Sequence, residues 1–149
     1  MFKILISFIF ITSSFLSISQ DVKYNLRMTK PQNHYFQVEM ELSDFNEKEL
    51  TVKLPVWAPG SYLVRDFSNN LNLVTASDQN GNSLSINKVT KNAWKIKKGK
   101  ASKVIVKYEV YAFNLSVRTS FLDATHGFVS GPGVFMYIEG HKDLSGNIE

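Results

Sequence analysis

The sequence predicts an all-β domain built as an antiparallel β-sandwich. Three observations lead to this fold class: apolar residues alternate with polar residues along several stretches, clusters of turn-forming residues separate those stretches, and no window has the period of an amphipathic helix. Alternation places one side of a strand on a core and the other side in water. Short strands separated by frequent turns are typical of a sandwich.

The alternating stretches predict the strands in chain order. The clearest strands are expected at 22–28, 36–42, 50–54 and 104–112, with shorter ones at 84–86 and 94–96. Turns are expected at 30–33, 78–82 and 98–100, because Pro, Gly, Asn and Asp in these places favour chain reversal. The stretch 43–49 has room for one helical turn at most.

A further strand is predicted close to the end of the chain. Residues 134–138 read Val-Phe-Met-Tyr-Ile, a composition that favours a strand. A strand so late in the chain needs partners. We therefore expect the sequence to be an incomplete fragment of a larger protein, truncated near the end of its domain.

The first 19 residues resemble a secretory signal peptide. Lys3 precedes a compact apolar run at 4–11, and the small residues Ser17 and Ser19 stand before a cleavage point. The alternative is a membrane anchor, but the run is shorter than the roughly 20 residues that span a bilayer. We expect a signal peptide at 1–19, a β domain at 20–149, export to the periplasm or the cell exterior, and no stable membrane anchor.

Composition excludes several classes of protein. The absence of cysteine rules out a disulfide framework, a cysteine-ligated zinc site and a thiol nucleophile. A formal charge of +4 is too small an excess to indicate a polyanionic partner. Lysines recur through 88–107 around Trp94 with no acid between them, which fits either an anion-binding patch or solvated charges that protect edge strands. The second interpretation is favoured, and no nucleic-acid partner is expected.

No pattern of catalytic or metal-binding residues is present. His34, His126 and His141 do not form an H-E-x-x-H motif or another short ligand spacing. Neither Ser61 nor Ser130 lies in a G-x-S-x-G elbow. We therefore expect no catalytic residue and no metal ligand in this chain.

Two segments are not explained by the pattern of strands and turns. The first, residues 54–67, contains Pro55, Pro59 and Gly60, which fix a rigid path, together with several aromatic residues. It either caps the end of the sandwich or forms a wall of a cleft. The second, residues 118–133, is rich in glycines that allow tight turns and leads directly into 134–138.

These segments resemble the amino-terminal domain of the glycyl aminopeptidase family, peptidase family M sixty-one of the thermolysin-like group. The matching motifs are Pro55-Val56-Trp57-Ala58-Pro59-Gly60-Ser61-Tyr62 followed by Arg65, then Val117-Arg118-Thr119-Ser120-Phe121-Leu122-Asp123, then Gly133-Val134-Phe135-Met136-Tyr137-Ile138-Glu139-Gly140. The resemblance covers essentially all of 21–143. Its most specific part is W-x-P-G-S-Y before an arginine.

The resemblance implies a domain of an exported zinc-dependent aminopeptidase. In this family a β-rich amino-terminal domain precedes a catalytic domain with H-E-x-x-H, and often a PDZ-like domain. Zinc is therefore expected only in a catalytic domain that this sequence lacks, and the chain alone is expected to be inactive. Its expected partners are the catalytic domain of the same polypeptide and a peptide substrate. The alternative is an independent extracytoplasmic β-sandwich module that binds a peptide or a glycan through Trp57 and Tyr62.

The candidate site residues fall into two groups. Glu139, with Tyr137 beside it, is a hypothetical contact for the free α-amino group of a substrate, by analogy with related two-domain zinc aminopeptidases; a solvated strand-end charge is the alternative. The cleft motif comprises Trp57, Pro59, Gly60, Ser61, Tyr62 and Arg65. We expect the Trp57 ring to be buried, so that this loop stabilises the fold first.

Overall fold

A computed structural model describes residues 20–149, which form an all-β domain. The strands are β1 (Asp21–Arg27), β2 (Tyr35–Ser43), β3 (Glu49–Lys53), β4 (Leu71–Asp78), β5 (Ser85–Thr90), β6 (Ala93–Lys97), β7 (Lys103–Tyr111), β8 (Phe121–Leu122), β9 (Gly127–Phe128), β10 (Tyr137–Ile138) and β11 (Gly146–Ile148). Short 3-10 turns lie at Pro31–Asn33, Phe67–Asn70 and Gly131–Gly133.

The strands form two main sheets and a small hairpin. One sheet has the order β11-β1-β2-β7-β4, the other β10-β3-β6-β5, and β8 pairs with β9. All pairings are antiparallel except that between β1 and β11, which is parallel and begins at Val22 opposite Gly146. The predicted fold class is thus confirmed, with one parallel pair that the sequence did not indicate.

The apolar faces of both sheets share one core. Strands β2 and β7 alternate strictly, so that every second side chain is buried. The second sheet contributes Leu50 and Val52 from β3 and Trp94 and Ile96 from β6. The alternation that predicted these strands therefore also identifies the residues that fill the core, because side chains on a strand point to opposite faces in turn.

Strand β4 was not predicted, because its sequence does not alternate. A bulge between Asn72 and Thr75 shifts the register against β7. Within it, Leu73 has a φ of +53° and is 71% exposed, while Ala76 is buried. A bulge moves the later residues to the opposite face, so a period-two pattern cannot be read across it.

The strand predicted at 134–138 is mostly wrong. Only Tyr137–Ile138 pairs with β3, and the preceding residues follow a 3-10 turn. The backbone carbonyls there accept hydrogen bonds from tyrosine side chains and not from the backbone of a neighbouring strand. Tyr108 Oη donates to the carbonyl of Val134 at 2.9 Å, and Tyr24 Oη donates to the carbonyl of Met136 at 2.5 Å. These long-range partners replace the ladder that the composition favoured.

The predicted signal peptide at 1–19 lies outside the described residues. Within 20–149 no helix is long and apolar enough to cross a membrane.

Candidate functional site

The loop after β3 is closed by its own hydrogen bonds. The Ser61 amide donates to the carbonyl of Ala58 at 3.1 Å, which forms a tight turn around Pro59 and Gly60. Gly60 has a φ of +77°, a conformation that L side chains rarely adopt. The indole N–H of Trp57 then donates to the carbonyl of Ser61 at 2.5 Å. The residues of the W-x-P-G-S motif thus all take part in closing this turn.

Ser61 and Arg65 complete this closure. Ser61 is buried, and its hydroxyl oxygen accepts a long contact of 3.4 Å from Arg65 Nε. The Arg65 amide donates to the carbonyl of Val56 at 2.7 Å, which joins the two arms of the loop. The motif arginine therefore serves the loop itself in this chain.

The same closure leaves large apolar side chains in solvent. Trp57 is 52% exposed, Tyr62 is fully exposed, and Leu63 and Val64 are also exposed. The expectation that the Trp57 ring is buried is wrong. Its indole N–H donates to the turn at Ser61. The tryptophan that packs in the core is Trp94, which is 6% exposed.

Tyr137 comes next to the Trp57 loop, although the two are distant in sequence. Tyr137 and Trp57 line a pocket of about 420 Å³ together with Pro55, Val56 and Lys142. The Lys142 ammonium lies 5.6 Å from the centre of the Tyr137 ring, a cation–π arrangement. The structure thus brings together two of the groups of residues that the sequence singled out.

Glu139 lies on the same face of the sheet and is already paired. Its Oε2 is 2.8 Å from Lys53 Nζ, on the strand opposite. The hydrogen bond from Lys53 lowers the pKa of the Glu139 carboxyl, and the same bond raises the pKa of Lys53. Glu139 is therefore an ionised, half-exposed carboxylate that any incoming amine would share with Lys53.

Two buried tyrosines hold the segment that carries Tyr137 and Glu139. Tyr108 Oη donates to the Val134 carbonyl and accepts from the Met136 amide at 3.2 Å. Tyr24 Oη donates to the Met136 carbonyl. Burial raises the pKa of Tyr24 to about 12 and also raises that of Tyr108, so both remain neutral donors at physiological pH.

The second segment, residues 118–133, contains the β8–β9 hairpin. Ser120 Oγ accepts a hydrogen bond of 3.0 Å from the Ser130 amide. Asp123 Oδ1 accepts from the amides of Thr125 and His126 and from the Thr125 hydroxyl, bonds that lower the Asp123 pKa to about 2. This segment is thus fixed by its own polar side chains.

Sequence reasoning did not predict that apolar side chains in and before this loop line a pocket open to solvent. Leu115, Val117, Phe121 and Phe128 line an open pocket of about 340 Å³. Next to it runs a column of stacked rings, in the order His34, Phe113, Phe121 and His126. The sequence did contain a sign of this exposure. The buried residues of β7 occupy even positions, whereas the large apolar residues that follow the strand, Phe113, Leu115 and Val117, occupy odd positions.

Both loops lie at one end of the sandwich, which we call the apolar end. It is formed where β1, β3, β5 and β7 finish and where β2, β4 and β6 begin. Among residues 20–149, every exposed large apolar side chain except Ile148 lies there: Met28, Trp57, Tyr62, Leu63, Val64, Leu73, Val89, Tyr111, Phe113, Leu115, Val117 and Phe128. The opposite end carries the polar turns 43–48, 78–83 and 98–102.

The lysine-rich stretch is not a concentrated basic surface. Lys95 pairs with Glu49, Lys103 with Glu41 and Lys107 with Glu39, at 3.5, 2.7 and 2.9 Å. Lys88 lies over the ring of Trp94. These contacts support the interpretation of solvated strand-face charges.

The three histidines lie apart and have separate partners. His34 Nδ1 is 2.6 Å from the Leu122 carbonyl, His126 lies by Asp123, and His141 Nε2 is 2.8 Å from Glu47. In the described part of the chain no three His, Asp or Glu residues are grouped so that they could hold a metal ion.

Comparison with known proteins identifies the class of this domain. A family model described as Peptidase M61 N-terminal domain matches residues 23–149, so the chain belongs to this family. The chain is similar to a crystal structure of an aminopeptidase N family protein from Idiomarina loihiensis, with a TM-score of 0.76 and 33% sequence identity. That match covers 85% of this chain and 22% of the other. A search of curated proteins gives no match.

Proposed function

We propose that this chain is the non-catalytic amino-terminal domain of an exported, zinc-dependent aminopeptidase of the glycyl aminopeptidase type. It packs on the catalytic domain of the same polypeptide and helps to shape the substrate cleft. The observation that carries this proposal is the gathering of the two loops, 54–67 and 118–133, and of nearly all exposed apolar side chains of residues 20–149 at the apolar end.

The apolar end has the composition of an interface. Contiguous exposed apolar surface mostly marks a place where another protein binds, because water contact with it is unfavourable. Tyr62 and Trp57 are of the residue types that dominate binding energy at interfaces. Their loop is closed by internal hydrogen bonds, so little conformational entropy is lost when a partner covers it.

The size of the similar aminopeptidase N family protein supports a partner within the same polypeptide. This chain corresponds to 22% of that protein, so that in the relative most of the mass lies outside the shared domain. In a parent enzyme zinc would polarise the scissile carbonyl and activate water. Residues 20–149 supply no grouped ligands for it, so we assign metal binding to the catalytic domain.

Glu139 is the proposed contact for the α-ammonium group of the substrate. It stands at the end of β10, half-exposed and ionised, beside the pocket between Trp57 and Tyr137. Its pair with Lys53 uses Oε2 and leaves Oε1 for a second cation. In the parent enzyme, Glu139→Gln should lower kcat/KM for aminoacyl substrates about ten- to a hundredfold, since a charge-assisted contact contributes about 1.5–3 kcal/mol. Unchanged kinetics would return Glu139 to a structural pair with Lys53.

The experiment that tests the domain assignment examines the native polypeptide. An antibody raised against residues 20–149 captures the protein from exported material, and peptide mapping follows. We expect one polypeptide that contains this domain and an H-E-x-x-H segment, with zinc bound in proportion to it. A native polypeptide that lacks such a segment and carries no zinc would contradict the proposal.

Variants at the apolar end test the interface. Replacing Tyr62, Leu63 and Val64 by serine should loosen docking in the parent enzyme, seen as faster proteolysis between domains and reduced activity at unchanged zinc content. Replacing Lys48, Asn80 and Lys100 by serine at the opposite end is the matched control and should change neither. Equal effects of the two triple variants would refute a specific role of the apolar end.

The alternative, an independent module that binds a peptide or a glycan, rests on the fully exposed Tyr62 and the pocket beside Trp57. It predicts that the chain alone binds an oligosaccharide or a peptide and that Trp57→Ala abolishes this binding. Absence of binding by the wild-type chain would remove this second candidate.

A further inference from the structure

The outer face of the five-stranded sheet carries a groove rimmed by charged and amide side chains, apart from the two pockets described above. The groove has a volume of about 340 Å³, near the lower limit of small-molecule pockets, about 300–1,000 Å³. It lies across β1, β2, β7 and β4, on the side of the sheet opposite the core. Its lining includes Arg27, Gln37, Leu73 and Glu109.

The register of the strands puts these side chains in one row. Arg27 is opposite Gln37, Gln37 is opposite Glu109, and Glu109 is opposite Asn72. Arg27 and Glu109 therefore stand two strand spacings apart, about 9–10 Å between their backbones. The cation and the anion are separated by an amide side chain rather than paired with each other.

The two charges of this row are unpaired, in contrast to those of the next rows. Glu39 is paired with Lys107 and Glu41 with Lys103. Within residues 20–149, Arg27 has only a hydrogen bond from its Nε to Asn25, and Glu109 has neither an ion pair nor a side-chain hydrogen bond. The Arg27 terminal nitrogens and the Glu109 carboxylate are free to bind a ligand.

One amide side chain, that of Gln37, lies between the two charges, and a second, that of Asn72, lies beyond Glu109. Gln37 Oε1 accepts from the amide and hydroxyl of Thr29, which leaves the Gln37 NH₂ group without a partner. Asn72 Nδ2 donates to Tyr35 Oη, which leaves Asn72 Oδ1 as an acceptor. The row therefore runs cation, amide donor, anion and amide acceptor, and its first three groups are complementary to the carboxylate, a peptide carbonyl and the ammonium group of a short peptide.

Leu73 supplies the apolar wall of the groove at a cost to the fold. It has a positive φ and is 71% exposed. An exposed leucine in the left-handed region is unfavourable both for its backbone and for its hydration. Backbone strain of this kind concentrates at ligand-binding positions. Here the strained backbone places the Leu73 side chain beside the row of polar groups.

We propose that this groove binds short unblocked peptides of two or three residues. The α-carboxylate binds the Arg27 guanidinium, the α-ammonium binds Glu109, and the Gln37 NH₂ group donates to a peptide carbonyl between them. A residue extends a chain by about 3.3–3.6 Å, so a tripeptide matches the distance between the two charged groups. The site lies on the outer face of the five-stranded sheet and borders the apolar end, with which it shares Leu73. Its lining includes no residue of 54–67 or 113–128, and the proposal does not depend on the proposed function.

The experiment measures binding of trialanine to the full chain by calorimetry and by NMR shift changes at residues of the groove. N-acetyl-trialanine and trialanine amide each lack one terminal charge. We expect each blocked peptide to bind roughly ten- to a hundredfold more weakly than trialanine, because each loses a charge-assisted hydrogen bond. Equal affinity of the blocked and unblocked peptides would overturn the proposal, and so would shifts confined to residues 54–67 and 113–128.

Substitutions assign the two ends of the ligand. Arg27→Gln should remove the preference for a free carboxylate, and Glu109→Gln the preference for a free amine, each without affecting the other preference. Lys23→Gln and Glu41→Gln lie on the same sheet face outside the row, and as charge-matched controls they should leave binding unchanged. Leu73→Gly should weaken binding without lowering the melting temperature. Weaker binding in the two control variants to the same degree would show only a general electrostatic effect and refute the site.

Discussion

Tyr108→Phe tests how the chain positions its candidate site. The Tyr108 side chain is 2% exposed, and its hydroxyl joins two backbone groups, the Val134 carbonyl and the Met136 amide. Phenylalanine preserves the ring and its packing but leaves both backbone groups without a partner in the core. A buried unpaired group costs about 1–3 kcal/mol. Because the bond to the Met136 amide is long and the segment will relax in part, we expect a total loss of about 2–4 kcal/mol.

The assay is urea unfolding at pH 7, followed by the fluorescence of buried Trp94. Tyr108→Phe should lower the midpoint with an unchanged slope, since the surface exposed on unfolding is the same. Tyr24→Phe, which removes one hydrogen bond to Met136, should cost about 1–2 kcal/mol. Tyr111→Phe is the control, because Tyr111 is 40% exposed and its hydroxyl has no partner among residues 20–149. A loss for Tyr108→Phe no larger than that of the control would refute the reasoning.

Three other predictions concern Tyr24, the two tryptophans and Gly146. Burial raises the pKa of Tyr24 to about 12, above its value of 10 in the unfolded chain, so the folded state holds this proton more tightly. The contribution of this group to the free energy of unfolding should be complete below pH 10 and should fall as the pH rises from 10 to 12. Unfolding measured between pH 9 and 12 checks this, because Tyr24→Phe should lose less stability over this range than wild type. Trp94→Ala should lower the free energy of unfolding by about 3–5 kcal/mol and Trp57→Ala by about 1 kcal/mol, because the Trp94 ring is buried and the Trp57 ring is half-exposed. The midpoints of urea unfolding measure both losses, and a larger loss for Trp57→Ala would contradict this assignment of buried and exposed rings. Gly146→Ala should detach β11, since an added Cβ would lie 2.5 Å from the Tyr24 ring; hydrogen exchange of the β11 amides should accelerate, and retained protection would show that the ring can move away.

The sequence by itself determined the strands in which one face is buried along the whole length. The alternation in β2 and β7 identified both the strands and their core residues, because the side-chain period of a strand is fixed by local geometry. Turn residues likewise located the reversal at 78–82, where Asp78 accepts hydrogen bonds from the amides of Asn80 and Asn82. The family motifs identified the domain, since the W-x-P-G-S segment closes its turn with contacts between near neighbours.

The tertiary structure alone decided the features that depend on distant partners. The segment at 134–138 has the composition of a strand, but Tyr24 and Tyr108 bind its carbonyls, and residues so far apart in sequence leave no local sign of their contact. The exposure of Trp57 depends on whether the core has room for its ring, which no local pattern records. The row from Arg27 to Glu109 and the pair of Glu139 with Lys53 exist only once strand order and register are set. Register is a collective property of both sheets, because a shift by one residue would turn every side chain of a strand to the other face.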